Sequence, residues 1–497
     1  MSDPLALLPL ALAAGGGRLR TGADGTDHEA QQLVAAGLTL LQRSAPLVRA
    51  LSGRRSAILL PTSPAFLTAL AASEGRGAVL INPLAAPAEI AYQCRDADVG
   101  AVFTVAAFAD RIPADRAIVL LDDAPRTARV LVGGTSRDVD LGSHFGLSLE
   151  GERDVPGRDE EAAIVYTSAM RGTPLGAVLT HANLLANARA TMEAAANVAD
   201  DHVLALLPFS HLFGLTVTAS APLLAGARVT TIEHFNPLKA AELLANGITE
   251  VVGVPAVFTA LLSAIERRGT SIRDSVLRLC ICGGAPLPRE LQDRWADVTG
   301  VELRQGYGLT EGAPVCLFNR VSVPNARGTL GVPLPGVEIA ILPPETYIQS
   351  PRTAEDTRMS DNAPLPDGER GEICVRGANV SPGYLHGSDA GLPRRDGWLS
   401  TGDAGRRAPD GTVTFLGVLK PMFTRNGFNI YPREIERVVC SMPGVRRAEV
   451  VAIPEPAREN DIRLRIAGNV AEDDVKRWCE ERLSVYKQPT VIEITAA

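Results

Sequence analysis

The sequence predicts an α/β protein: a large body of two doubly wound lobes and a small β-barrel unit, followed by a small, mobile α+β domain. Short apolar runs alternate with helical stretches from about residue 29 to 325, which is typical of mainly parallel sheets covered on both faces. Beyond residue 326, short strands are punctuated by glycine and proline, which indicates a barrel-like unit. A last unit with its own helices begins near Lys420.

The predicted strands follow in order along the chain. The first lobe, about 1–155, contains SAILLP (56–61), GAVLINPL (77–84), GAVFTVAAF (100–108) and AIVLLDD (117–123). In the second lobe, about 156–325, the segments AAIVYTS, HVLALLP, RVTTIEH, TEVVGVP and VLRLCICGG each precede a helical segment. The β unit, 326–419, contains GVEIAILP, GEICVRG, WLSTGDAG and GTVTFLG. The body is therefore predicted to span 1–419 and the C-terminal domain 420–497.

Composition narrows the class of protein. With 497 residues and 46% apolar content, the chain is long enough for several packed units. A net charge of -8 and the lack of a long Lys/Arg run argue against a sequence-independent nucleic-acid binder. The seven cysteines are dispersed without a Cys-x-x-Cys pair, which favours a reduced, cytoplasmic setting. The sequence contains no apolar stretch of about 18 or more residues, so no membrane span is predicted.

Three segments carry the chemistry: YGLTE (307–311), STGD (400–403) and GFNIYPREIE (427–436). The first offers a glutamate after a glycine turn, a hard oxygen ligand for Mg²⁺, and the second an aspartate on a Gly-Asp turn. In this order they resemble the adenylate-forming superfamily, which includes acyl-CoA synthetases and aryl-CoA ligases. The resemblance covers about 30–490. It implies an AMP-binding body with a rotating cap domain, ATP or AMP and Mg²⁺ as ligands, and CoA as one acceptor.

The resemblance also implies roles for individual residues. The loop YTSAMRGTPLGAVLTH (166–181) matches the phosphate loop through Thr167, Ser168 and Gly172. His211 in LPFSHLFG is expected near the substrate carboxylate, with Phe209, Phe213 and Leu215 as apolar wall. The other implied roles are adenine binding by Gly283, Gly284, Ala285, Tyr307 and Gly308, an α-phosphate contact by Thr310, Mg²⁺ ligation by Glu311, ribose binding by Asp403, a hinge at Lys420 and a pantetheine-facing loop at Gly427.

Several positions depart from the family pattern. Ala169 replaces a loop glycine, Leu175 the phosphate-loop lysine, and Val418 a ribose-contacting arginine. The sequence ends at Ala497, before the Gly-Lys pair whose lysine serves adenylation in the family. Loss of such electrostatic stabilisation costs on the order of 10²–10³ in rate per group, so weakened adenylation is expected. Two alternatives stay open for Arg171: a substitute cation for the phosphates, or a solvated surface residue.

Three functions remain open at this stage. The first is an ATP-dependent ligase that joins a carboxylic acid to CoA through an acyl-AMP intermediate, with Thr310, Glu311, His211 and Arg171 as catalytic residues. The second is an adenylation-impaired protein that only binds a nucleotide or acyl group. The third is transfer of the acyl group to an amine or a carrier protein. Since no aspartate stands where amino-acid-activating members hold the amine, an acid without a required amine is expected. The oligomeric state is left open.

Overall fold

The computed structural model describes residues 8–22, 25–73, 76–123, 126–142, 159–167, 172–269, 271–344, 363–387, 391–455 and 458–495. Within these ranges the α-helices are α1 Leu8–Ala14, α2 Ala30–Arg43, α3 Ala45–Leu51, α4 Ala65–Ala72, α5 Pro87–Asp96, α6 His181–Ala195, α7 Ala221–Leu224, α8 Pro237–Ala245, α9 Pro255–Arg268, α10 Arg289–Thr299, α11 Pro432–Cys440 and α12 Glu472–Arg482. Proline at the first position opens four of them, because that position needs no backbone N–H donor.

The strands alternate with these helices through most of the body. They are β1 Arg18–Thr21, β2 Asp27–Glu29, β3 Arg55–Leu59, β4 Ala78–Leu80, β5 Val99–Thr104, β6 Ala117–Leu121, β7 Thr127–Val132, β8 Thr135–Asp140, β9 Glu161–Thr167, β10 Leu175–Thr180, β11 His202–Ala205, β12 Arg228–Thr231, β13 Glu250–Gly253, β14 Leu279–Cys282, β15 Leu303–Gly308, β16 Val315–Phe318, β17 Val332–Pro333, β18 Val337–Leu342, β19 Gly371–Gly377, β20 Gly383–Tyr384, β21 Arg394–Arg395, β22 Trp398–Arg407, β23 Val413–Val418, β24 Phe423–Arg425, β25 Phe428–Ile430, β26 Val445–Glu455, β27 Glu459–Gly468 and β28 Val491–Thr495.

Two nine-stranded sheets form the body. One runs β17-β16-β15-β14-β13-β11-β12-β1-β2 and the other β20-β10-β9-β4-β3-β5-β6-β7-β8. The central pairs are parallel and the edges antiparallel, and central strands such as β5, β13 and β14 are buried along their whole length. Complete burial reflects helices on both faces. The predicted α/β class is confirmed. The sheets do not follow the predicted lobe boundary near residue 155, because β1 and β2 pair in the sheet formed mainly by later strands, and β9 and β10 pair in the sheet formed mainly by earlier ones.

Two smaller units follow. Strands β18, β19, β21, β22 and β23 form an antiparallel sheet that carries the STGD segment on β22. The C-terminal part contains the β24-β25 hairpin and the sheet β26-β27-β28, whose buried Ile462 and Leu464 pack with Ile435 of α11 and Val475 of α12. Among the described residues no helix combines the length and the apolar character that crossing a bilayer would require.

One local feature differs from the expectation for the second lobe. The helical segment predicted after β11 contains a π-helix, Phe213–Ser220, before the short α7. The Thr218 hydroxyl donates to the Gly214 carbonyl oxygen at 2.6 Å within this segment. π-helical turns often occur at functional sites. This one begins two residues after His211, so the segment that follows β11 is a candidate part of a functional site.

Candidate active site

A cavity of about 820 Å³ lies between the body and the C-terminal domain. It is lined by most of the residues singled out from the sequence, namely Thr167, His211, Gly283, Gly284, Ala285, Tyr307, Gly308, Thr310, Glu311, Asp403, Lys420 and Gly427. Ser168 and Arg171 lie outside the described residues. Segments from distant parts of the chain therefore meet in one space. The roles assigned to the individual residues stay predictions.

Asp403 of β22 is held at the cavity wall by a tyrosine of β15 and by the lysine that follows β23. The Tyr307 hydroxyl donates to Asp403 Oδ2 at 2.7 Å, and Lys420 Nζ lies 3.7 Å from Asp403 Oδ1. Burial and then the charge of Asp403 raise the pKa of Tyr307, so this hydroxyl stays protonated and keeps donating. The carboxylate is thus oriented before a ligand arrives, and each oxygen has a partner that a ribose hydroxyl would join or replace.

Glu311 lies in the short 3₁₀ turn Thr310–Gly312, which follows β15. The Tyr384 hydroxyl donates to Glu311 Oε1 at 2.6 Å, and burial followed by the charge of Glu311 raises the pKa of Tyr384. The described residues contain no group of three or more metal-ligating side chains. A single buried carboxylate nevertheless fits Mg²⁺, because this ion keeps several waters and binds phosphates through one or two protein carboxylates. Glu311 is the residue that would hold it.

Lys420 lies at the predicted start of the C-terminal domain and contacts β22 of the body. Its Nζ donates to the Thr401 carbonyl oxygen at 2.8 Å and is almost completely buried. Burial alone would lower the pKa of Lys420, but the nearby Asp403, Tyr431 and Glu311 raise it, so the side chain stays charged. With Val418 facing Asp403 across the β22-β23 pair, Lys420 is the cation next to the expected ribose position.

His211 is an exposed residue, and its side chain lines the cavity. Because protein surrounds the cavity, burial lowers the pKa of His211, which favours the neutral imidazole. The Phe213 backbone N–H donates to His211 Nδ1 at 3.2 Å, so the neutral ring carries its proton on Nε2. His211 is therefore a neutral hydrogen-bond donor in the cavity wall.

The predicted apolar wall around His211 is only partly correct. Phe213 lines the cavity. Phe209 instead packs edge-to-face on Phe66, with ring centroids 5.7 Å apart, and Leu215 is buried in the same hydrophobic cluster. The prediction assigned the apolar side chains of one short segment to one wall, whereas the turn after β11 directs them to opposite sides. Phe209 and Leu215 therefore anchor the segment rather than contact a substrate.

The phosphate loop is contacted by the C-terminal domain. Arg437 of α11 donates from Nε to the Gly172 carbonyl oxygen at 2.8 Å, and its side chain lines the cavity. Leu175, at the position of the family's lysine, also lines the cavity and carries no charge. A guanidinium from α11 therefore lies beside a loop that has leucine at the position of the family's lysine.

The Gly427 loop reaches into the cavity from the C-terminal side. Gly427 has φ +76°, and a Cβ atom there would come within 2.8 Å of the Val254 side chain. Only glycine tolerates both this backbone conformation and this close approach without strain. The same pose brings the Gly427 carbonyl oxygen to about 4.0 Å from the Cβ position of Gly284. The loop thus closes over the segment expected to hold adenine.

A buried ion cluster fixes the C-terminal domain on the body. Lys487 Nζ lies 2.8 Å from Glu89 Oε1 of α5 and 2.6 Å from Glu434 Oε1 of α11. Ser484 also hydrogen-bonds Glu89. Glu89 and Lys487 are 398 positions apart in sequence. This cluster and Tyr384 were missed from sequence, as was Arg437; the only sequence signal was the Tyr-Lys pair at 486–487.

Comparison with known proteins identifies the family. The family model described as AMP-binding enzyme matches residues 47–385. Feruloyl-CoA synthase of Amycolatopsis sp. is 31% identical over 454 residues, covering 89% of this chain and 85% of that protein. The chain therefore belongs to the AMP-binding, adenylate-forming enzymes, and the resemblance seen in the sequence is confirmed.

Two solved structures show the same fold. A malonyl-CoA ligase in a ternary product complex with methylmalonyl-CoA and AMP matches with a TM-score of 0.78 at 26% identity, covering 100% of this chain and 99% of that one. ATP-bound MatB from Rhodopseudomonas palustris matches with a TM-score of 0.68 at 25% identity, covering 99% and 95%. At similar identity and coverage, the product complex is the better structural match.

Proposed function

We propose that the protein is an ATP-dependent acid–CoA ligase. In the first step a carboxylate oxygen attacks the α-phosphorus of ATP, a P–O bond forms, and the bond to pyrophosphate breaks. In the second step the CoA thiolate attacks the carbonyl carbon of the acyl-AMP, and AMP leaves with the electron pair of the C–O bond. Both steps need charge neutralised on phosphate oxygens and a sealed path for the acceptor.

The observation that carries this proposal is the meeting of three distant segments in one cavity. Glu311, Asp403 and the Gly427 loop of the C-terminal domain all line it. A carboxylate with a purely structural role at a turn would not need a second carboxylate and a loop from another unit to line the same cavity. Glu311 would position Mg²⁺ on the phosphates, Asp403 would hold the ribose, and Thr310 would contact the α-phosphate.

The pose of the C-terminal domain supports thioester formation as the second step. The Gly427 loop lies over Gly284 and Val254, and Arg437 and Lys487 contact the body. Rotation of the C-terminal domain about a hinge at Lys420 would move the Gly427 loop away from the cavity and turn another face of the domain towards it.

Two cations near the cavity could neutralise phosphate charge in the proposed adenylation step, although Leu175 and Val418 are neutral where the family has cations. Lys420 stands beside Asp403, and Arg437 stands beside the phosphate loop. The acid itself is proposed to lack an amine, because the carboxylates that line the cavity in the described part of the chain are Glu89, Glu311, Asp403 and Glu434. Each of them already has a hydrogen-bonded or charged partner. We also propose CoA rather than an amine as the acceptor.

Pyrophosphate exchange over a panel of carboxylic acids tests the first step, and acyl-CoA formation tests the second. We expect exchange with at least one acid, loss of exchange in Glu311→Gln and Asp403→Asn, and no change in Glu338→Gln, an exposed carboxylate paired with Arg376. MgATP at about 100 times its Kd should stabilise the protein by about 2.7 kcal/mol. Binding without exchange for any acid would reject the ligase in favour of a nucleotide-binding protein.

The acceptor is tested separately from the acid. Once an active acid is known, preformed acyl-AMP is mixed with CoA, with a panel of primary amines, or with a phosphopantetheine-bearing carrier protein. Faster consumption with CoA supports the proposal. Faster consumption with an amine or a carrier protein would replace the thioester step by the corresponding acyl transfer.

A further inference from the structure

One part of the cavity lies inside the body and has apolar walls; we call it the apolar slot. Side chains from the π-helix, from β14 and β16 and from the residues next to β17 line it and pack in one hydrophobic cluster, namely Val217, Ile281, Val315, Phe318, Leu330 and Leu334. Hydrocarbon is bound favourably in such surroundings, because its burial removes apolar surface from water.

The slot adjoins the groups that would hold an acyl-AMP. Thr216 of the π-helix donates from Oγ1 to the Ala313 carbonyl oxygen at 3.2 Å, which joins this helix to the turn that carries Glu311. A Cβ atom at Gly283, in the segment expected to hold adenine, would lie 3.0 Å from Cζ of Phe213 at the start of the π-helix. The tail of an acyl group joined to AMP here would therefore extend into the slot.

Two hydroxyl-bearing residues beside these walls do not make the slot polar. Thr191 and Ser210 line the cavity, but Thr191 Oγ1 and Ser210 Oγ have practically no accessible surface. Both residues therefore present carbon atoms to the open space. A polar group on a bound acid would find no partner in either hydroxyl.

The amide of Gln305 lies on the other face of the sheet. Gln305 of β15 is paired with Cys282 of β14, and successive side chains along a strand point to opposite faces. Cys282 packs in the cluster that contains Trp295, whereas Ile281 packs in the cluster that forms the slot. Gln305 therefore lines a part of the cavity away from the wall that Ile281 forms.

The charges around the cavity restrict the acid further. Among the described lining residues, every Lys or Arg belongs to the hinge or to the C-terminal domain: Lys420, Arg437, Arg482 and Lys487. The described part of the body therefore lines the cavity without a Lys or Arg that could pair with a second carboxylate. His211 does not supply this charge, because burial lowers its pKa and favours the neutral ring. A dicarboxylic acid of the malonate type would bury an unpaired charge in the slot.

We propose that the acid is a monocarboxylic acid whose tail is a plain hydrocarbon, without a charged or hydrogen-bonding substituent in the part that enters the apolar slot. This inference rests on the proposed ligase function and specifies its substrate class. A polar substituent in the slot would lose its hydrogen bonds to water and gain none from the walls, so acids that carry one react less well. Val217, in the wall beside the Thr216 contact, is assigned as a specificity-determining residue.

The test compares matched acids in pyrophosphate exchange: cinnamate with 4-hydroxycinnamate, decanoate with 10-hydroxydecanoate, and butanoate with malonate. In each pair that supports exchange, we expect the hydrocarbon acid to have a kcat/KM about 10–100 times that of its polar partner, the range over which an apolar pocket rejects an added hydroxyl.

Val217→Ala tests the assignment of the slot wall by a gain of activity. Removing two methyl groups enlarges the slot, so kcat/KM for 4-methylcinnamate relative to cinnamate, or for dodecanoate relative to decanoate, should rise at least about tenfold. A variant that is only destabilised would not gain activity with the bulkier acid.

Val229→Ala is the matched control. Val217 and Val229 are 2% and 0% exposed, but Val229 of β12 packs in a different hydrophobic cluster and is not among the residues that line the cavity. The same substitution there should lower the melting temperature to a similar degree and leave the ratio between the paired acids unchanged.

Three outcomes would overturn the inference. A kcat/KM for a hydroxylated acid or for malonate equal to or above that of its hydrocarbon partner would contradict the apolar slot, and the ligase function would stand. The same ratios in Val217→Ala as in Val229→Ala would remove Val217 from the specificity-determining wall. Absence of exchange with all acids would reject the ligase function, and calorimetric titration of the same acids into the AMP-bound protein would then decide the inference by whether the hydrocarbon acids bind more tightly.

Discussion

The ion cluster at Lys487 predicts that one substitution slows the second half-reaction and spares the first. Lys487 bridges Glu434, in its own domain, and Glu89, in the body, and all three side chains are buried or nearly so. Of these two contacts of Lys487, the one with Glu89 joins the C-terminal domain to the body. Replacement by methionine, Lys487→Met, keeps the bulk of the side chain and removes the charge that this pose of the domain depends on.

The size of the effect follows from the contact that is lost. A hydrogen bond between charged groups contributes about 1.5–3 kcal/mol, and each 1.4 kcal/mol is a factor of ten in an equilibrium constant. The docked pose should therefore become about 10–150 times less populated. If thioester formation requires that pose, its rate falls by the same factor while pyrophosphate exchange changes little. The double variant Lys487→Met with Glu89→Gln should recover part of the loss, because Glu89 no longer leaves an unpaired buried charge.

The assay measures the two half-reactions separately, by pyrophosphate exchange and by single-turnover conversion of acyl-AMP with CoA. Lys476→Met is the matched control, since Lys476 pairs with Glu472 at 2.7 Å on the surface of the same domain, where both side chains are about half exposed. Such exposed pairs contribute little. Equal slowing of both half-reactions, or of neither, would refute the link between this cluster and the thioester-forming pose.

Three further predictions concern other groups. Burial raises the pKa of Glu250 to about 8 from its ordinary 4.5, so the folded protein holds a proton that the unfolded chain releases. The free energy of unfolding should therefore fall by up to about 3.5 kcal/mol from pH 5 to pH 8, and urea unfolding of Glu250→Gln should lack this slope; an unchanged slope would contradict the burial effect. Tyr384→Phe removes the donor to Glu311 and should lower kcat/KM for exchange about 10–150-fold with a raised requirement for Mg²⁺; unaltered Mg²⁺ dependence would argue against a positioning role. Leu175→Lys restores a phosphate-loop cation and should raise the exchange rate at least about tenfold, and no gain would show that the loop no longer contacts the phosphates.

Local patterns allowed much of the fold to be predicted. The alternation of apolar strands with helices led to the α/β class, because strand and helix periodicities are local properties of the chain. Pairing between sheets was not local: β1 and β2 at the start of the chain join the sheet built from 202–333, and β9 and β10 join the other. Which strand pairs with which depends on packing between distant segments, and one sequence does not display this.

The candidate site divides in the same way. Turn chemistry made Glu311 and Asp403 recognisable, since each stands at a glycine turn with few alternatives for its backbone. The partners of these groups were not recognisable, because Tyr384 lies 73 positions from Glu311 and Tyr307 96 positions from Asp403. Phe209 shows the opposite error, because a side chain next to site residues in sequence is turned away from the cavity by the fold.

The sequence by itself determined the family and the order of the units, and it predicted which residues bind a metal ion, a ribose and phosphates. These follow from residue type and spacing over a few positions. The tertiary structure decided which side chains share the cavity and where Lys487 meets Glu89. The physical reason is that burial, charge pairing and hydrogen-bond satisfaction are properties of the packed chain, and they are set by contacts between residues far apart in sequence.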